Sequence, residues 1–497
     1  MNERASFTFG PLDRSGVILG LRLGQLGLLA CGGTVAIVLL LGTHGSVVAA
    51  GVAVLGIVAS MGLALVPVSG RGVDEWIPVL ARWMIGSRTW RSPAPVRGQL
   101  VTGSGALVDA QGALPPTLDG LTLLSVRLPG GASIGIAKDR SHGTYTSVIR
   151  VTGSSYVLLS DQEKEAQLAA WGAALSSLAH RESPIEAVQL IVRNVTEDPD
   201  GIARYVEEAM DIDPNDSIFR SYLSLIDSAA PVTQTQEVFV ALTVSNRRAG
   251  RAIAAAGGND NGAAVVLIRA LSQLETQLSH AQIRSDGVLP PRLLAQVYRE
   301  AWDPTSAHAL RRRSSMSDAE EGISMAGAGP QSTRATWRYL VTDGGATHAT
   351  YWISEWPRIS VGANFLVPLL LQTNARLTFS VTMAPVDPSR AERDIEAAQT
   401  AHLSDEMMRS QHGFRTPVRS HRQADAVEQR EREFADGHAE YRFAGYLTVT
   451  AASPEELEVA CGEVTQQARN SRLDLRRMDG EHDLAFTYTL PLGRGLR

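Results

Sequence analysis

Lysine is nearly absent from this chain of 497 residues, and its scarcity excludes the commonest nucleotide site. Lys138 and Lys164 are the only lysines, and neither follows a glycine and precedes a serine or threonine. A phosphate-binding P-loop needs a lysine in that position to reach the outer phosphates. The sequence therefore contains no Walker A motif.

Cysteine is also scarce, and the usual metal-binding spacings are missing. Cys31 and Cys461 cannot form a disulfide framework, which suits a reducing cytosol. The sequence has no CxxC and no HExxH, and its eleven histidines never lie three or four positions apart. No nucleophile stands beside a candidate base. We therefore expect a non-enzymatic protein without a cofactor or a metal.

The charge balance argues against a nucleic-acid-binding protein. The formal net charge is -6, and nearly every basic residue is an arginine. Affinity for nucleic acid depends on neutralising phosphates with a surplus of positive charge, which this chain lacks. We predict no direct contact with nucleic acid and read the scattered arginines as a compositional bias.

Two long apolar runs are the strongest positive feature. They cover Gly24–Leu41 and Val47–Val66, each close to the ~20 residues that a helix needs to cross a bilayer. A five-residue connection makes them a helical hairpin, and arginines flank both ends, so we expect both termini in the cytoplasm. The alternatives are a signal peptide and a pair of helices buried in a protein core. A second full-length apolar run directly after the first run argues against a signal peptide. The sequence predicts a multi-pass protein of the cell membrane.

The segment after the hairpin has the pattern of an amphipathic helix. Tryptophan and arginine together suit the membrane interface, the ring at headgroup depth and the guanidinium toward phosphates. The alternative is a helical cap on the soluble body. The predicted interface residues are Trp76, Trp83, Trp90, Arg82 and Arg88.

Strand and helix patterns alternate through the rest of the chain, which predicts an α+β body of split βαβ type. Ser133–Ala137 and Thr144–Val151 predict a hairpin. Ser160 and Glu163 form a capping-box pattern. Further helices are predicted at 216–228, 263–280, 391–409, 424–434 and 454–470, and further strands at 187–192, 238–244, 337–340, 350–353, 375–384, 440–451 and 485–490.

These patterns divide the chain into six segments. The predicted boundaries are 1–22 for a cytoplasmic tail, 23–66 for the transmembrane hairpin, 67–100 for an amphipathic interfacial connector, 101–302 for a first cytoplasmic α+β domain, 303–336 for a flexible linker or loop, and 337–497 for a second α+β domain.

Four segments are weak candidates for a binding site. Asp211–Asp216 starts like a calcium loop but lacks the required glycine and glutamate, so a turn is favoured. Gly257–Gly262 could hold an anion before a helix, although a flexible loop is favoured. His412–Arg422 is a basic stretch that could contact an acidic partner or lipid headgroups, although a solvated charged surface is favoured. Trp352, Trp356 and Pro357 form either a partner-docking surface or plain core, and core is favoured.

The first hundred residues resemble the PrgI family, the two-span inner-membrane subunits of Gram-positive conjugation machines. The hairpin, Gly70–Trp76 (GRGVDEW) and Val79–Trp83 (VLARW) carry this resemblance. The body resembles the non-motor region of VirB-type conjugation ATPases. That resemblance rests on Arg432–Leu447 (REFADGHAEYRFAGYL), Ala485–Leu492 (AFTYTLPL) and Tyr351–Pro357 (YWISEWP). The whole arrangement is similar to an actinobacterial family encoded with type IV-like secretion or conjugation genes.

The resemblance implies a structural component of a type IV secretion or conjugation machine that works in protein transport. Its implied partners are the lipid bilayer, a separate hexameric VirB-type P-loop ATPase, other secretion-complex subunits and further copies of itself. The motor would be a separate polypeptide. Two rivals stay open: a membrane subunit of a type VII-like secretion system, and a membrane-tethered degenerate enzyme.

Overall fold

The structure is a computed structural model that describes residues 23–42, 47–65, 71–92, 114–128, 130–152, 159–196, 217, 220–221, 234–307, 309–310, 322–411, 429–435 and 437–496. Its described helices are α1 (Leu23–Gly42), α2 (Val47–Leu65), α3 (Val73–Ile85), α4 (Asp161–Leu178), α5 (Asn246–Ala255), α6 (Asn259–His280), α7 (Pro291–Trp302), α8 (Val367–Leu371), α9 (Pro388–Gln411), α10 (Pro454–Asn470) and α11 (His482–Phe486).

Thirteen described strands form one sheet, and their pairings are antiparallel. They are β1 (Thr89–Arg91), β2 (Leu121–Arg127), β3 (Ser133–Asp139), β4 (Thr144–Thr152), β5 (Ile185–Thr196), β6 (Gln234–Ser245), β7 (Arg284–Val288), β8 (Ser332–Ala335), β9 (Leu340–Thr342), β10 (Thr347–Glu355), β11 (Arg376–Pro385), β12 (Tyr441–Ala451) and β13 (Asp474–Arg477).

The sheet is built from two copies of one topology. The first copy contains β4, α4, β5, β6, α6 and β7 in this order along the chain, with α5 inserted between β6 and α6, and its strands lie in the order β7-β4-β6-β5. In the second, β10, α8, β11, β12, α10 and β13 repeat this pattern in the order β13-β10-β12-β11. Each copy is a split βαβ unit, so the predicted α+β class is confirmed.

The two units join edge to edge through β5 and β11. Leu190 lies opposite Val381 in this ladder, and the six paired positions run from Arg193 to Val188. Two strands precede each unit along the chain and extend the sheet at its outer side. They are β2 and β3 for the first unit, and β8 and β9 for the second. The strands of the predicted 101–302 and 337–497 segments therefore form one continuous sheet.

Most of the helices cover one face of the sheet and bury two apolar clusters there. In the first unit, α4, α5 and α6 pack on β4, β5 and β6 around residues such as Leu267 and Leu271. In the second, α10 packs on β10, β11 and β12 around Leu457 and Val464. Burial of these apolar side chains is the main force that holds the helices on the strands.

The other face is covered by α7 and by a segment that we call the strap (Thr487–Gly495). Buried polar side chains of four strands point at this segment and satisfy its backbone groups. Gln189 donates to the carbonyl oxygens of Tyr488 and Leu490, both at 3.0 Å, and Thr382 donates to that of Arg494 at 2.8 Å. Such pairing is what a buried backbone outside a ladder requires.

Arg494 of the strap forms a buried ion pair with Asp139 on β3, at 2.9 Å from Nε to Oδ2. Burial by itself would raise the pKa of Asp139, but the charge and hydrogen bonds of Arg494 lower it below the usual range. The strap thus ties the end of the second unit to the first.

The predicted final strand at Ala485–Leu490 is wrong. These residues form the end of α11 and a 3-10 turn at Thr487–Thr489. The edge of β10 that such a strand would join is already occupied by β13, which pairs with Tyr351 to Glu355. The predicted strand at 337–340 is also misplaced, since β9 begins only at Leu340.

Several local predictions are confirmed. The β3–β4 hairpin turns between Asp139 and Thr144. Ser160 and Glu163 form the reciprocal capping box at the start of α4. Helix α10 has the predicted bounds. The segments 211–216 and 412–422, and the predicted helix at 216–228 apart from residues 217, 220 and 221, lie outside the described residues.

The apolar helices α1 and α2 pack against each other. Ala36 and Ala53 are buried between them, and Gly32 lies so close to Ser60 that a Cβ at Gly32 would collide with the serine side chain. Among the described residues, Gly24–Gly42 is long and apolar enough to cross a membrane, and Ala50–Gly62 is a shorter apolar stretch.

Candidate functional site

The apolar hairpin and the α+β body meet at a set of contacts that we call the junction. Its central pair is Arg71, just before α3, and Glu481, just before α11. The Arg71 side chain is only 2% exposed, and its Nη1 donates to Glu481 Oε2 at 3.0 Å. Its Nη2 donates to Met478 Sδ at 3.3 Å, and its guanidinium lies 5.0 Å from the ring centroid of Trp76. The arginine is thus enclosed by groups of α3 and of the body.

Aromatic rings hold α3 on the body. Trp337 stacks on Trp76 with ring centroids 5.8 Å apart and meets Trp83 edge-on at 5.3 Å. Gly480 approaches the same cluster, because a Cβ there would lie 2.9 Å from Trp337 and 3.0 Å from Val79. Three indoles in such contact add aromatic interaction energy to the area they bury.

Charged pairs surround this aromatic cluster. Arg82 donates to Asp483 Oδ2 at 2.9 Å, and Arg476 donates to Glu75 Oε2 at 3.3 Å. The backbone adds further bonds, since Ala335 N–H donates to Arg88 O at 2.7 Å where β1 joins β8. Helix α3 is therefore fixed to the body by a buried ion pair, stacked rings, half-exposed ion pairs and a strand ladder.

His482 lies between Glu481 and Asp483 in the sequence. The ring is buried, and its Nδ1 accepts a hydrogen bond from Thr350 N–H at 3.1 Å. Burial lowers the pKa of His482 below its ordinary value, although Asp479 partly opposes this. The neutral imidazole is thus a structural part of the junction near neutral pH.

The other face of α3 is apolar and open. Its exposed large side chains are Ile77, Leu80, Met84 and Ile85. The residues that contact the body occupy the opposite side of the helix at 3.6 residues per turn. Helix α3 thus presents one face with charges and tryptophans to the protein and one mainly apolar face outward, with Asp74 at the start of that face.

The structure therefore places the five predicted interface residues mainly against the body. Trp76, Trp83 and Arg82 make the contacts just described, and Trp90 is half-buried on the edge strand β1. Arg88 is exposed and lies 4.4 Å from the ring centroid of Trp83. This arrangement favours the alternative of a helical cap for these residues, and a role at the membrane interface stays a prediction.

Trp352, Trp356 and Pro357 lie in or beside the core of the second unit. Trp356 is buried and meets Phe443 edge-on at 5.3 Å, and Pro357 is buried beside it. Trp352 is half-buried under Arg476, whose guanidinium lies 4.3 Å from the ring centroid. The favoured interpretation as core fits these positions, and a docking role stays a prediction.

The glycine-rich segment Gly257–Gly262 contains an acidic residue that is paired with other parts of the body. Asp260, in the first turn of α6, accepts hydrogen bonds from Lys138 Nζ at 2.6 Å and Tyr145 Oη at 2.8 Å. The hydrogen bond from Lys138 lowers the pKa of Asp260, and burial raises that of Tyr145 to about 12. Among the described residues, no group of three or more potential ligands could hold a metal ion.

Sequence reasoning missed Arg71, Trp337 and Glu481 as members of the junction. Their spacing along the chain carries no signal, because 410 positions separate Arg71 from Glu481. The one local sign was the amphipathic pattern of 73–85, which indicated a helix with two different environments.

The fold and the junction define an α+β body that holds α3, which in turn contacts a pair of long apolar helices. Residues 232–353 match the family model described as "EccE: Putative type VII ESX secretion system translocon, EccE". The match covers about a quarter of the chain, from β6 through the β10 strand, and so includes parts of both units. No curated protein matches the chain. The match supports a membrane-associated component of a secretion system and favours the type VII alternative over the type IV hypothesis.

Proposed function

We propose that this protein is a non-enzymatic membrane subunit of a type VII-like secretion system. The match of residues 232–353 to the EccE model carries the proposal, because this segment supplies β6 to β9 and most of β10 to the body that the junction ties to the apolar hairpin. In this view α1 and α2 span the membrane as a hairpin, and both termini and the body lie in the cytoplasm.

In such a subunit the junction would fix the orientation of the body relative to the membrane, and so the orientation of the surfaces that the body offers to its partners. A flexible tether would let the body rotate freely, whereas buried charges and stacked rings hold it in one orientation. The body would then present its surface to other subunits at a fixed height and angle. This is a positioning role, and it needs no bound cofactor.

The type IV hypothesis, with a VirB-type ATPase docked on the body, makes a different prediction about partners. We would purify the full chain from native membranes in a mild detergent and quantify the co-purifying proteins by mass spectrometry. A sample without the tagged chain is the background, and a Glu481→Gln variant tests whether the junction is needed. Recovery of type VII subunits supports the proposal, and recovery of a VirB-type ATPase without them contradicts it.

A further inference from the structure

We propose that the exposed face of α3 rests in the headgroup region of the bilayer and fixes how the body stands on the membrane. This inference rests on the proposed membrane anchoring of the hairpin and goes beyond it, because a hairpin alone leaves the tilt of the body free. The contact residues are Ile77, Leu80, Met84 and Ile85.

The chemistry of this face suits a lipid surface. Met84 and Ile85 are 80% and 87% exposed, and Pro78 and Ala81 between the larger side chains are exposed as well. Of the three charged residues of α3, only Asp74 in the first turn lies toward this face, and it is half-buried against Gly24 of α1. A helix with one apolar face and one polar face binds in the plane of a membrane interface, with the apolar face buried at the boundary between headgroups and acyl chains.

The position of α3 relative to the hairpin selects the bilayer as the occupant. Gly24 in the first turn of α1 touches Asp74 in the first turn of α3, since a Cβ at Gly24 would lie 2.5 Å from Asp74 Oδ2. Helix α2 ends at Leu65, eight positions before Val73. Helix α3 is therefore held at the end of the hairpin where both apolar helices connect to the rest of the chain, which is the membrane surface in the proposed topology.

The polar face of α3 already contacts the body, so it is not the face that would contact lipid. Glu75 and Arg82 are paired with Arg476 and Asp483 of the body, and Trp76 and Trp83 pack on Trp337. The helix thus lies between two surfaces, with the body on its polar and aromatic side. Aliphatic side chains, and not the tryptophans, would make the contact with lipid.

The test measures the depth of a fluorescent label in full-length protein reconstituted in nanodiscs of phosphatidylcholine and phosphatidylglycerol. Cys31→Ala removes the exposed native thiol, and the buried Cys461 stays. Single labels are placed at Met84→Cys on the proposed contact face, at Val38→Cys on α1, and at Val459→Cys on α10. Val459 is the matched control, because it is 76% exposed and belongs to the body. Ile85→Cys gives a second reporter on the same face.

Three quenchers separate the outcomes: a lipid with its quencher near the headgroup, a lipid with its quencher near the chain end, and aqueous iodide. We expect position 84 to lose fluorescence to the headgroup-near quencher, position 38 to the chain-end quencher, and position 459 to iodide alone. If positions 84 and 85 behave like 459 while 38 is quenched by lipid, the inference is overturned and the anchoring stands. If position 38 also responds to iodide alone, the proposed membrane anchoring fails and the inference falls with it.

Discussion

Arg71 and Glu481 form a buried ion pair at 3.0 Å although 410 positions separate them in the chain. The pair joins the start of α3 to the loop before α11, so it connects the apolar hairpin to the second unit of the body. A buried arginine that loses its carboxylate is left with an uncompensated charge, which costs more than the pair itself contributes.

We expect Glu481→Gln to lower the free energy of unfolding by about 3 kcal/mol, because the substitution keeps the shape but removes the counter-charge of Arg71. Amide hydrogen exchange of α3 should rise at the same time. Asp483→Asn is the matched control: its partner Arg82 is half-exposed, so the loss should stay below about 1 kcal/mol. Chemical unfolding of both variants in detergent measures the difference, and equal losses would contradict a special role for the buried pair.

Gly480 combines a left-handed backbone with a close approach to the aromatic cluster. Its φ is +76°, and a Cβ would meet Trp337 and Val79 at 3.0 Å or less. We expect Gly480→Ala to cost about 2–4 kcal/mol, from backbone strain together with overpacking. Thermal unfolding followed by tryptophan fluorescence reports this loss.

The control for Gly480 is Gly131→Ala. Gly131 has a φ of +85°, but a Cβ there would meet nothing within 4 Å. The strained backbone alone should cost about 1–2 kcal/mol. If the two alanine variants lose the same stability, then packing against Trp337 and Val79 does not contribute at Gly480.

Gln189 holds the strap on the sheet. The side chain is fully buried, donates to Ser380 Oγ and to two strap carbonyls, and accepts from the N–H groups of Leu492 and Gly493 at 3.1 and 2.8 Å. Gln189→Leu keeps most of the volume but removes these hydrogen bonds. Gly493 N–H loses its partner, at a cost of about 1–3 kcal/mol, whereas Tyr488 O keeps Ser380 Oγ and Leu490 O keeps Leu492 N–H. We expect a total loss of about 1–3 kcal/mol and faster hydrogen exchange in the strap. Gln273→Leu, at an exposed position on α6, should change stability by less than about 0.5 kcal/mol.

Buried histidine makes the stability depend on pH. His348 is fully buried between Thr342 Oγ1 at 3.0 Å and Thr450 Oγ1 at 2.9 Å, and burial lowers its pKa to about 3. The unfolded chain therefore takes up a proton below about pH 6.5 while the folded protein stays neutral, so stability is full above that pH and falls as the pH decreases toward 3.

From pH 7 to pH 5, His348 alone should remove about 2 kcal/mol. His482 acts in the same direction, because burial lowers its pKa as well. Unfolding free energies at several pH values test this, and His348→Gln should flatten the dependence. An unchanged slope in that variant would show that other groups cause the acid sensitivity.

The local predictions that succeeded rest on interactions between near neighbours. The capping box of Ser160 and Glu163 involves groups three positions apart, and the β3–β4 hairpin is set by alternation and a short glycine-containing turn. The strand predicted at Ala485–Leu490 failed because an apolar, β-branched run can be buried in more than one way. Its place beside β10 is taken by β13, and the run instead crosses the sheet face as the end of α11 and the start of the strap.

By itself the sequence determined the α+β class, the pair of long apolar helices and the scarcity of residues for nucleotide or zinc chemistry, since composition and short-range periodicity record these properties. Only the tertiary structure decided that two split βαβ units share one sheet and that Arg71, Trp337 and Glu481 meet. It also turned Trp76 and Trp83 toward the body and left Ile77, Leu80, Met84 and Ile85 outside. The physical reason is that a helical pattern shows which residues share a face, whereas the surface that each face contacts depends on residues hundreds of positions away.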